Sequence, residues 1–373
     1  MNNPLLDELE KKKLLRKRYR DLGLKVGVMD CGVKNSLLDV PGVRVGQCTL
    51  FEREGERDPG QGPIRTGVTV ITPNDNVFQE KVTAGSFVLN GAGEMSGVLQ
   101  VNEWGLIETP IALCNTMSVG TVSESICSWM TERYSDIQKG RQVVIPVVGE
   151  CDDSFLNDSG GMHLKKSHII SAINHLNSDH IEEGVVGAGT GMICCDFKAG
   201  IGSSSRIIEI DGENFVLGAL VLANFGKIEE LRIDGFPLGR SLEKNYADQL
   251  KRRDNYGSVI VILGTNVPLN SLQLTRLCKR SSLGVGRVGS IAAHGSGEIM
   301  LAFSTSNQMN SRDCFHDLRC LNDFHIDPIY RAAIEATEEA ILNSLCMAVE
   351  VEGVLGNIAP ALPLDKVIEN LRV

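Results

Sequence analysis

Short segments that are apolar at nearly every position restrict the fold of this 373-residue chain more than any other feature. They are rich in β-branched residues, they are bounded by Gly, Pro, Asn or Asp, and they cover residues 40–45, 67–71, 84–89, 143–148, 215–222, 259–263 and 299–303. Such segments predict β-strands. A strand that is apolar on both faces has to be covered on both sides. We therefore expect a sheet that packs between helices or against a second sheet.

Helical patterns separate the strands and cover residues 119–133, 164–174, 271–280 and 328–347. In the last of these, Asp327 suits the N-cap position and Pro328 suits the first turn. The charged N-terminal segment lacks the apolar core of a secretory signal. We interpret residues 1–22 as a surface helix and residues 23–373 as one composite domain, because no linker is long enough to divide them.

Composition excludes several classes of function. The chain has 37 Lys and Arg against 47 Asp and Glu, a net charge of −10, so it lacks the basic surface that nucleic acids need. Its 11 Cys form no C-x-x-C pair and its 7 His no H-E-x-x-H motif, so we expect neither a metal nor a cofactor. Apolar segments are too short to cross a membrane, and free thiols fit a reducing cytoplasm.

A glycine-rich segment at residues 184–192 resembles a dinucleotide-binding loop only superficially. Counting G-x-G-x-x-G from Gly187 and Gly189 requires glycine at 192, where Met192 stands, and the flanking βαβ pattern is not evident. The better interpretation is a loop whose backbone groups line a small-molecule pocket.

The junction of Gly257 and Ser258 stands between a polar turn and the apolar segment 259–263. One reading is an ordinary turn serine. The other is self-cleavage, in which the Ser258 hydroxyl attacks the carbonyl carbon of Gly257 and water opens the resulting ester. Ser258 would then carry a free α-amino group, whose pKa of about 8 suits a base for the hydroxyl on the same residue.

A second polar pattern precedes the apolar segment 299–303. Glycines flank Ser296, and Glu298 follows it at a spacing that places both side chains on one face of an extended segment. A hydroxyl that relays to a carboxylate is able to orient or balance a protonated amine, although the same pattern also occurs in turns.

Together, these and further segments resemble one family over nearly the whole chain after residue 22. The matching stretches are residues 35–46, 64–73, 88–94, 108–111, 187–192, 198–206, 257–258 and 336–343. The family is that of the self-processing serine aminopeptidases, typified by the L-aminopeptidase/D-amino-acid esterase-amidase (DmpA) and the β-peptidyl aminopeptidases (BapA). The resemblance implies an α+β fold, a four-layer αββα sandwich of the Ntn-hydrolase-like class that ornithine acetyltransferases share. It also implies a cofactor-free hydrolase.

The resemblance implies a role for each matching residue. Gly257 and Ser258 match the self-cleavage site, which would give an α chain of residues 1–257 and a β chain of residues 258–373 that stay associated. Ser258 matches the nucleophile, and Ser296 and Glu298 match the serine and acidic residue grouped with it. Asn224 matches the amide that stabilises the oxyanion.

Two residues that follow the β-rich segment 143–148, Glu150 and Asp152, bear on how the substrate is bound. Glu150 matches the carboxylate that binds the free amino group of the substrate, a small peptide, amide or ester. Asp152 stands where better-known members have a tyrosine that contributes to the oxyanion hole. An ionised carboxylate cannot donate. Either another donor replaces it, or the oxyanion hole is weaker, or Asp152 adds to the binding site for the amine.

Alternative functions stay open at this point. An acyltransferase of the ornithine acetyltransferase type would be expected to have threonine after the cleavage point, where Ser258 stands. A non-catalytic, uncleaved binding protein is conceivable because of Asp152. Family members commonly assemble as tetramers of the αβ unit, and we expect a homo-oligomer.

Overall fold

The computed structural model of the protein describes residues 3–56, 58–246 and 257–371. Its strands are, in chain order, β1 (Arg44–Glu52), β2 (Ile64–Thr72), β3 (Glu80–Gly91), β4 (Met95–Ser96), β5 (Leu106–Ile107), β6 (Ile111–Asn115), β7 (Val147–Cys151), β8 (Ile193–Cys194), β9 (Phe197–Lys198), β10 (Ile201–Ile210), β11 (Glu213–Asn224), β12 (Gly257–Thr265), β13 (Ser296–Asn310), β14 (Val351–Glu352) and β15 (Ile358–Ala359). Its α-helices are α1 (Pro4–Lys13), α2 (Val98–Trp104), α3 (Val119–Arg133), α4 (Ser135–Gln138), α5 (Lys166–Asn174), α6 (Leu238–Tyr246), α7 (Ser271–Val288), α8 (Asp327–Met347) and α9 (Leu364–Leu371).

Two sheets stack face to face at the centre of the protein. The first has the order β1-β2-β6-β7-β4, and the second has the order β10-β11-β12-β13-β3-β5. Within them, β6/β7 and β12/β13 are parallel pairs and the other neighbours are antiparallel. Ile71 and Leu113 of the first sheet share an apolar core with Leu220, Ile262 and Leu301 of the second.

Strand β12 illustrates why a segment of this fold is apolar at every position. Ile260 and Ile262 face the core between the sheets, whereas Val259, Val261 and Leu263 face a second core beneath helices. Burying a side chain of this size contributes about 1.5–3 kcal/mol relative to leaving it exposed. Both faces of the strand therefore help to hold the layers together.

Helices cover the outer faces of both sheets. Helices α7 and α8 pack on the second sheet, and α3 and α5 pack on the first. The resulting order of layers, helix–sheet–sheet–helix, confirms the predicted α+β four-layer αββα sandwich.

The predicted strands agree with the structure except at two places. Residues 67–71, 84–89, 215–222, 259–263 and 299–303 lie within β2, β3, β11, β12 and β13. The strand predicted at 40–45 is wrong over most of its length, because a 3-10 turn over Leu37–Asp39 comes first and β1 begins at Arg44. The strand predicted at 143–148 is wrong before Val147, since Val143 is exposed and Pro146 has no N–H for a ladder.

Strand β10 is not predicted, because its sequence is polar. Residues 203–206 read Ser-Ser-Ser-Arg and yet are fully buried. Partners from distant segments satisfy them: Ser203 donates to the carbonyl of Ala219, and Arg206 pairs with Glu335 and Glu339 of α8. The polar run is therefore an internal hydrogen-bonded layer and not a surface loop.

The predicted helices are found with changes at their ends. Helix α3 has the predicted bounds, α5 begins two residues late, and α7 continues to Val288 before Gly289 ends it at a φ of 119°. The N-cap assignment of Asp327 is wrong, because Ile326 occupies that position and Asp327 is already helical.

The N-terminal helix is shorter than the predicted segment 1–22, whose residues 1 and 2 lie outside the described residues. Helix α1 ends at Lys13, and Tyr19 and Leu22 are buried in the core beneath α8. Arg16 donates to the carbonyls of Cys346 and Leu362. The segment after α1 thus packs on the C-terminal part of the chain.

Over residues 3–56, 58–246 and 257–371, no helix has the length and apolar character needed to cross a membrane.

Candidate active site

Three adjacent strands of the second sheet bring the predicted cleavage site and its expected partners together. Ser258 follows Gly257 at the start of β12, Asn224 is the last residue of β11, and Ser296 is the first residue of β13. In the sheet register, Ser258 pairs with Asn224 on one side and with Gly297 on the other. Residues far apart in the sequence therefore meet at one end of the sheet.

Position 257 requires glycine for a steric reason. A Cβ atom there would lie 2.2 Å from the carbonyl oxygen of Asn224 and 2.8 Å from the Cα of Phe225. The Ser258 side chain is buried, and burial raises the pKa of the Cys151 thiol on β7 while the Ser258 side chain lowers it in part. The peptide group between Gly257 and Ser258 is thus held against the end of β11.

Ser296 and Glu298 lie on the same face of β13, as their spacing predicts. Ser296 Oγ donates to Glu298 Oε1 at 2.5 Å, and both side chains are buried. Burial raises the pKa of Glu298, against hydrogen bonds from Ser296, Asn90 and Ser290 that favour its charged form. The carboxyl group therefore keeps a proton to higher pH than an exposed glutamate does.

The side-chain amide of Asn224 is fixed at both of its polar atoms. Oδ1 accepts from the backbone N–H of Ile193 at 3.0 Å, and Nδ2 donates to the carbonyl of Asp152 at 2.9 Å. These partners settle which end of the amide is the donor. Nδ2 carries two hydrogens, so it has a donor beyond the one that Asp152 takes.

Glu150 is a buried carboxylate just beneath an exposed loop. Oε1 accepts from the backbone N–H of Glu94 at 2.8 Å, and Oε2 accepts from the hydroxyl of Thr116. Burial raises the pKa of Glu150, and the charges of Asp152 and Glu94 raise it further, while the two hydrogen bonds lower it. A Cβ atom at Gly93 would lie 3.3 Å from Glu150 Oε1 and 3.4 Å from the Cα of Gly297, so Glu150 adjoins the end of β13.

Asp152 hydrogen-bonds to Asn224 through its backbone, while its side chain acts on Glu150 through its charge. Its carbonyl accepts from Asn224, but its exposed carboxylate accepts from the N–H and the hydroxyl of Ser154, both at 2.9 Å. The structure thus gathers Gly257, Ser258, Asn224, Ser296, Glu298 and Glu150, and it turns the carboxylate of Asp152 toward Ser154.

Sequence reasoning assigned no role to three further residues that contact this group. Asn90 is the register partner of Glu298 and donates to the carbonyl of Ala293 at 2.7 Å. Thr116 binds Glu150, and the pKa of the Cys151 thiol responds to the Ser258 side chain. Asn90 lies in a stretch that carries the family resemblance, which is the only sequence signal that singles it out.

The glycine-rich segment does not line a pocket, contrary to the sequence-based interpretation. Residues Gly187–Gly191 form a buried 3-10 turn between the sheets. A Cβ atom at Gly189 would lie 2.4 Å from the backbone nitrogen of Ile201, and one at Gly191 would lie 2.4 Å from the carbonyl oxygen of Arg65. Glycine is required there because backbone segments approach closely.

The arrangement has the parts that acyl transfer needs. A buried hydroxyl stands between an oriented amide donor and a serine–carboxylate pair, with a second carboxylate nearby. Within the part of the chain that the structure describes, no three His, Cys, Asp or Glu residues gather as metal ligands do.

Comparisons with known proteins identify the family. The model of peptidase family S58 matches residues 35–359. The chain is 37% identical over 360 residues to the β-peptidyl aminopeptidase BapA of Sphingosinicella microcystinivorans, covering 93% of this chain and 89% of that protein.

Solved structures agree with this match. A Pyrococcus horikoshii OT3 protein superimposes with a TM-score of 0.90 at 43% identity, covering 95% of this chain and 99% of that one. The L-aminopeptidase D-Ala-esterase/amidase of Ochrobactrum anthropi, described as a prototype for the serine aminopeptidases and a variant of the Ntn-hydrolase fold, gives a TM-score of 0.88 at 35% identity, covering 95% and 98%. These matches confirm the family resemblance found in the sequence. The chain belongs to peptidase family S58 and is a serine aminopeptidase with an Ntn-hydrolase fold.

Proposed function

We propose that the protein activates itself by cleavage between Gly257 and Ser258 and then releases N-terminal residues through an acyl-enzyme. The observation that carries the proposal is the position of Ser258 between Asn224 and the Ser296–Glu298 pair at the ends of three paired strands. A nucleophile, an oriented donor and a group that exchanges protons are the requirements of acyl transfer to water.

Self-cleavage uses the Ser258 hydroxyl and the preceding carbonyl. Ser258 Oγ attacks the carbonyl carbon of Gly257, the peptide C–N bond breaks, and the hydroxyl proton passes to the departing nitrogen. An ester then joins Gly257 to Ser258 Oγ. Water hydrolyses this ester, which leaves a carboxylate on Gly257 and an α-amino group on Ser258.

The topology favours fragments that stay together after cleavage. Strands β12 and β13 follow the cleavage point, and they lie between β11 and β3, which precede it. The two fragments thus alternate within one hydrogen-bonded sheet, and separation would expose the cores on both of its faces. We infer an αβ unit, and we propose a tetramer of such units from the family resemblance.

Turnover repeats the same chemistry on a substrate. Ser258 Oγ attacks the substrate carbonyl, its proton passes to the α-amino group or to the Ser296–Glu298 pair, and Asn224 Nδ2 stabilises the oxyanion. The leaving amine or alcohol takes up that proton as the bond to it breaks. Water then hydrolyses the acyl-enzyme and restores the Ser258 hydroxyl.

Glu150 binds the free amino group of the substrate. A carboxylate that is buried beside the end of β13 is able to pair with an ammonium group at the reacting end. An internal peptide bond offers no such group, which accounts for exopeptidase action. Asp152 adds negative charge near Glu150, in line with its effect on the pKa of Glu150.

The substrates we propose are small peptides, amides or esters with a free amino group. The relatives named above are a β-peptidyl aminopeptidase and an L-aminopeptidase D-Ala-esterase/amidase. All eleven cysteines lie in the described residues and are free thiols, which supports a cytoplasmic location.

Intact-mass measurement together with one pair of substrates tests the proposal. We expect the purified wild-type protein to give two chains, 1–257 and 258–373, and Ser258→Ala to give one. The cleaved protein should hydrolyse alanine or β-alanine p-nitroanilide and leave their N-acetylated forms intact. A wild-type protein that stays in one chain, or that accepts both forms equally, would contradict it.

A further inference from the structure

Lys198 has no exposed surface, and the proposed reactions leave it unused. Its ammonium group donates to the backbone carbonyls of Gly189, Met192 and Ala199 at 3.0, 2.8 and 2.6 Å. An ammonium group has three hydrogens, one for each of these acceptors. Burial lowers the pKa of Lys198, and the charge of Asp153 opposes that shift. Burying a charge costs free energy, which the three hydrogen bonds offset.

These hydrogen bonds restrain the turn over Gly187–Gly191 where it leads back into the sheet. Met192 O accepts from Lys198, and the next backbone N–H, that of Ile193, donates to Asn224 Oδ1. Glycines make up most of the turn, so its own side chains restrict the backbone little. Within the turn, only Thr190 adds a side-chain hydrogen bond, to the carbonyl of Gly187, so contacts from outside contribute to holding the turn in place.

We propose that Lys198 is a positioning residue for the amide that stabilises the oxyanion: it fixes the turn that leads through Met192 into β8, where the N–H of Ile193 sets the orientation of Asn224. The inference rests on the proposed role of Asn224. A donor lowers the barrier only if it points at the developing charge before the reaction begins. Because Ile193 holds Oδ1, Nδ2 has to face the opposite way.

A second buried ionisable group lies next to the segment on the other side of this amide. Asn224 Nδ2 donates to the carbonyl of Asp152. The next residue, Asp153, is fully buried and accepts from Asn115 at 3.1 Å and from Asn157 at 3.0 Å. Asn224 is thus held between two backbone segments, each next to a buried ionisable group, and loosening either segment would let the amide rotate.

The test compares Lys198→Met, Asn224→Ala and the double variant, with Arg65→Met as the matched control. The Arg65 side chain is also buried and also donates to three backbone carbonyls, those of Glu52, Ile64 and Glu352. We measure kcat and KM for alanine p-nitroanilide per cleaved molecule, counted by intact mass. We expect Asn224→Ala to lower kcat about 100-fold and Lys198→Met about 10-fold or more, with KM within about two-fold.

The double variant decides between positioning and general stability. If Lys198 acts through Asn224, the double variant has the kcat of Asn224→Ala, and Arg65→Met keeps the wild-type kcat. The inference fails if Lys198→Met lowers kcat by the same factor with and without Asn224, or if Arg65→Met lowers kcat equally. If Asn224→Ala itself leaves kcat unchanged, the proposed role of Asn224 fails instead.

If Lys198→Met does not fold or cleave, a variant of Ile193 tests the same inference, because Ile193 stands between Met192, which Lys198 binds, and Asn224. Ile193→Pro removes the N–H that binds Asn224, and the preceding Met192 has a ψ of 149°, which suits a following proline. We expect Ile193→Pro to lower kcat by about the same factor as Lys198→Met. In the Asn224→Ala background, we expect Ile193→Pro to cause no further loss of kcat. A folded Ile193→Pro enzyme with wild-type kcat would overturn the inference.

Discussion

Ser296 Oγ donates to Glu298 Oε1 at 2.5 Å, and the glycine between them pairs with Ser258 across the parallel strands β12 and β13. The proposed nucleophile and the carboxyl group proposed to exchange protons with it are thereby placed on strands that are direct neighbours in the sheet. Such a site varies little in geometry, because the sheet register fixes it.

Replacing this carboxylate should affect the chemical step. We expect Glu298→Gln to lower kcat about 100-fold, as removal of a general acid–base group does, and to leave KM within about two-fold. In the wild type, we expect kcat to fall as the α-amino group that cleavage would give Ser258 is protonated, and to fall more steeply below the raised pKa of Glu298. The steeper part should be missing from the pH profile of the variant. An unchanged profile would show that Glu298 does not titrate in the reaction.

Glu150→Gln should separate substrate turnover from self-cleavage. The variant keeps the shape of the side chain but loses the charge proposed to bind the ammonium group of the substrate, so we expect kcat/KM to fall about 10- to 100-fold. Self-cleavage should keep its rate, because the Gly257–Ser258 bond presents no amino group to Glu150. Stopped-time intact-mass measurement and steady-state kinetics give the two rates.

Glu94→Gln is the matched control for this variant. Glu94 binds Glu150 through its backbone N–H, and that hydrogen bond survives the change. We expect kcat/KM within about five-fold of wild type, the effect of an exposed charge. Equal losses of turnover and self-cleavage in Glu150→Gln would exclude its role as the amine-binding group.

Asp152→Asn should act through charge alone. Asparagine is able to accept from the N–H of Ser154 as the carboxylate does, and the backbone contact with Asn224 is kept. Since the side chain is exposed, we expect KM to rise by no more than about five-fold at low salt, and the difference to vanish near 1 M salt, where charges are screened beyond about 3 Å. A fall in kcat with unchanged KM would show instead that the charge of Asp152 acts on the chemical step and not on substrate binding.

Local sequence patterns predict part of this site and miss the rest for a physical reason. Gly257 and Ser258 stand before an apolar segment, and Ser296 and Glu298 share a spacing that fixes one face of a strand, so both pairs are visible in the sequence. Asn90 contacts this site only because β3 pairs with β13 in one register, and no local pattern encodes that pairing.

A similar limit explains why the long strand β10 is not among the predicted strands. Apolar periodicity finds strands whose side chains are hydrophobic, and β12 is an example. Strand β10 buries Ser203 and Arg206 instead, with partners on β11 and α8 that lie far away in the sequence. Segments whose burial depends on such partners cannot be recognised from their own residues.

Glu339 of α8 joins the two fragments that self-cleavage would create. It is fully buried, and it accepts from Arg206 at 2.8 Å, from Arg20 at 2.8 Å and from Asn35 at 2.6 Å, all of which precede the cleavage point. Burial raises the pKa of Glu339, but its hydrogen bonds and the two guanidinium charges outweigh that effect, so the pKa is lowered.

Glu339→Gln should therefore destabilise the protein strongly and in a pH-dependent way. Removing one partner of a buried ion pair costs about 3–5 kcal/mol, measured as the free energy of unfolding by urea in the single-chain Ser258→Ala background. Because the pKa of Glu339 is lower in the folded state, its contribution is present above the unfolded pKa and disappears as pH falls through the folded pKa. The gap between variant and background should thus shrink in acid. The control is Glu213→Gln, which breaks an exposed ion pair with Arg319 and should change the free energy of unfolding by less than about 1 kcal/mol. Equal losses of stability in the two variants would contradict the role of Glu339. So would a difference between Glu339→Gln and its background that does not depend on pH.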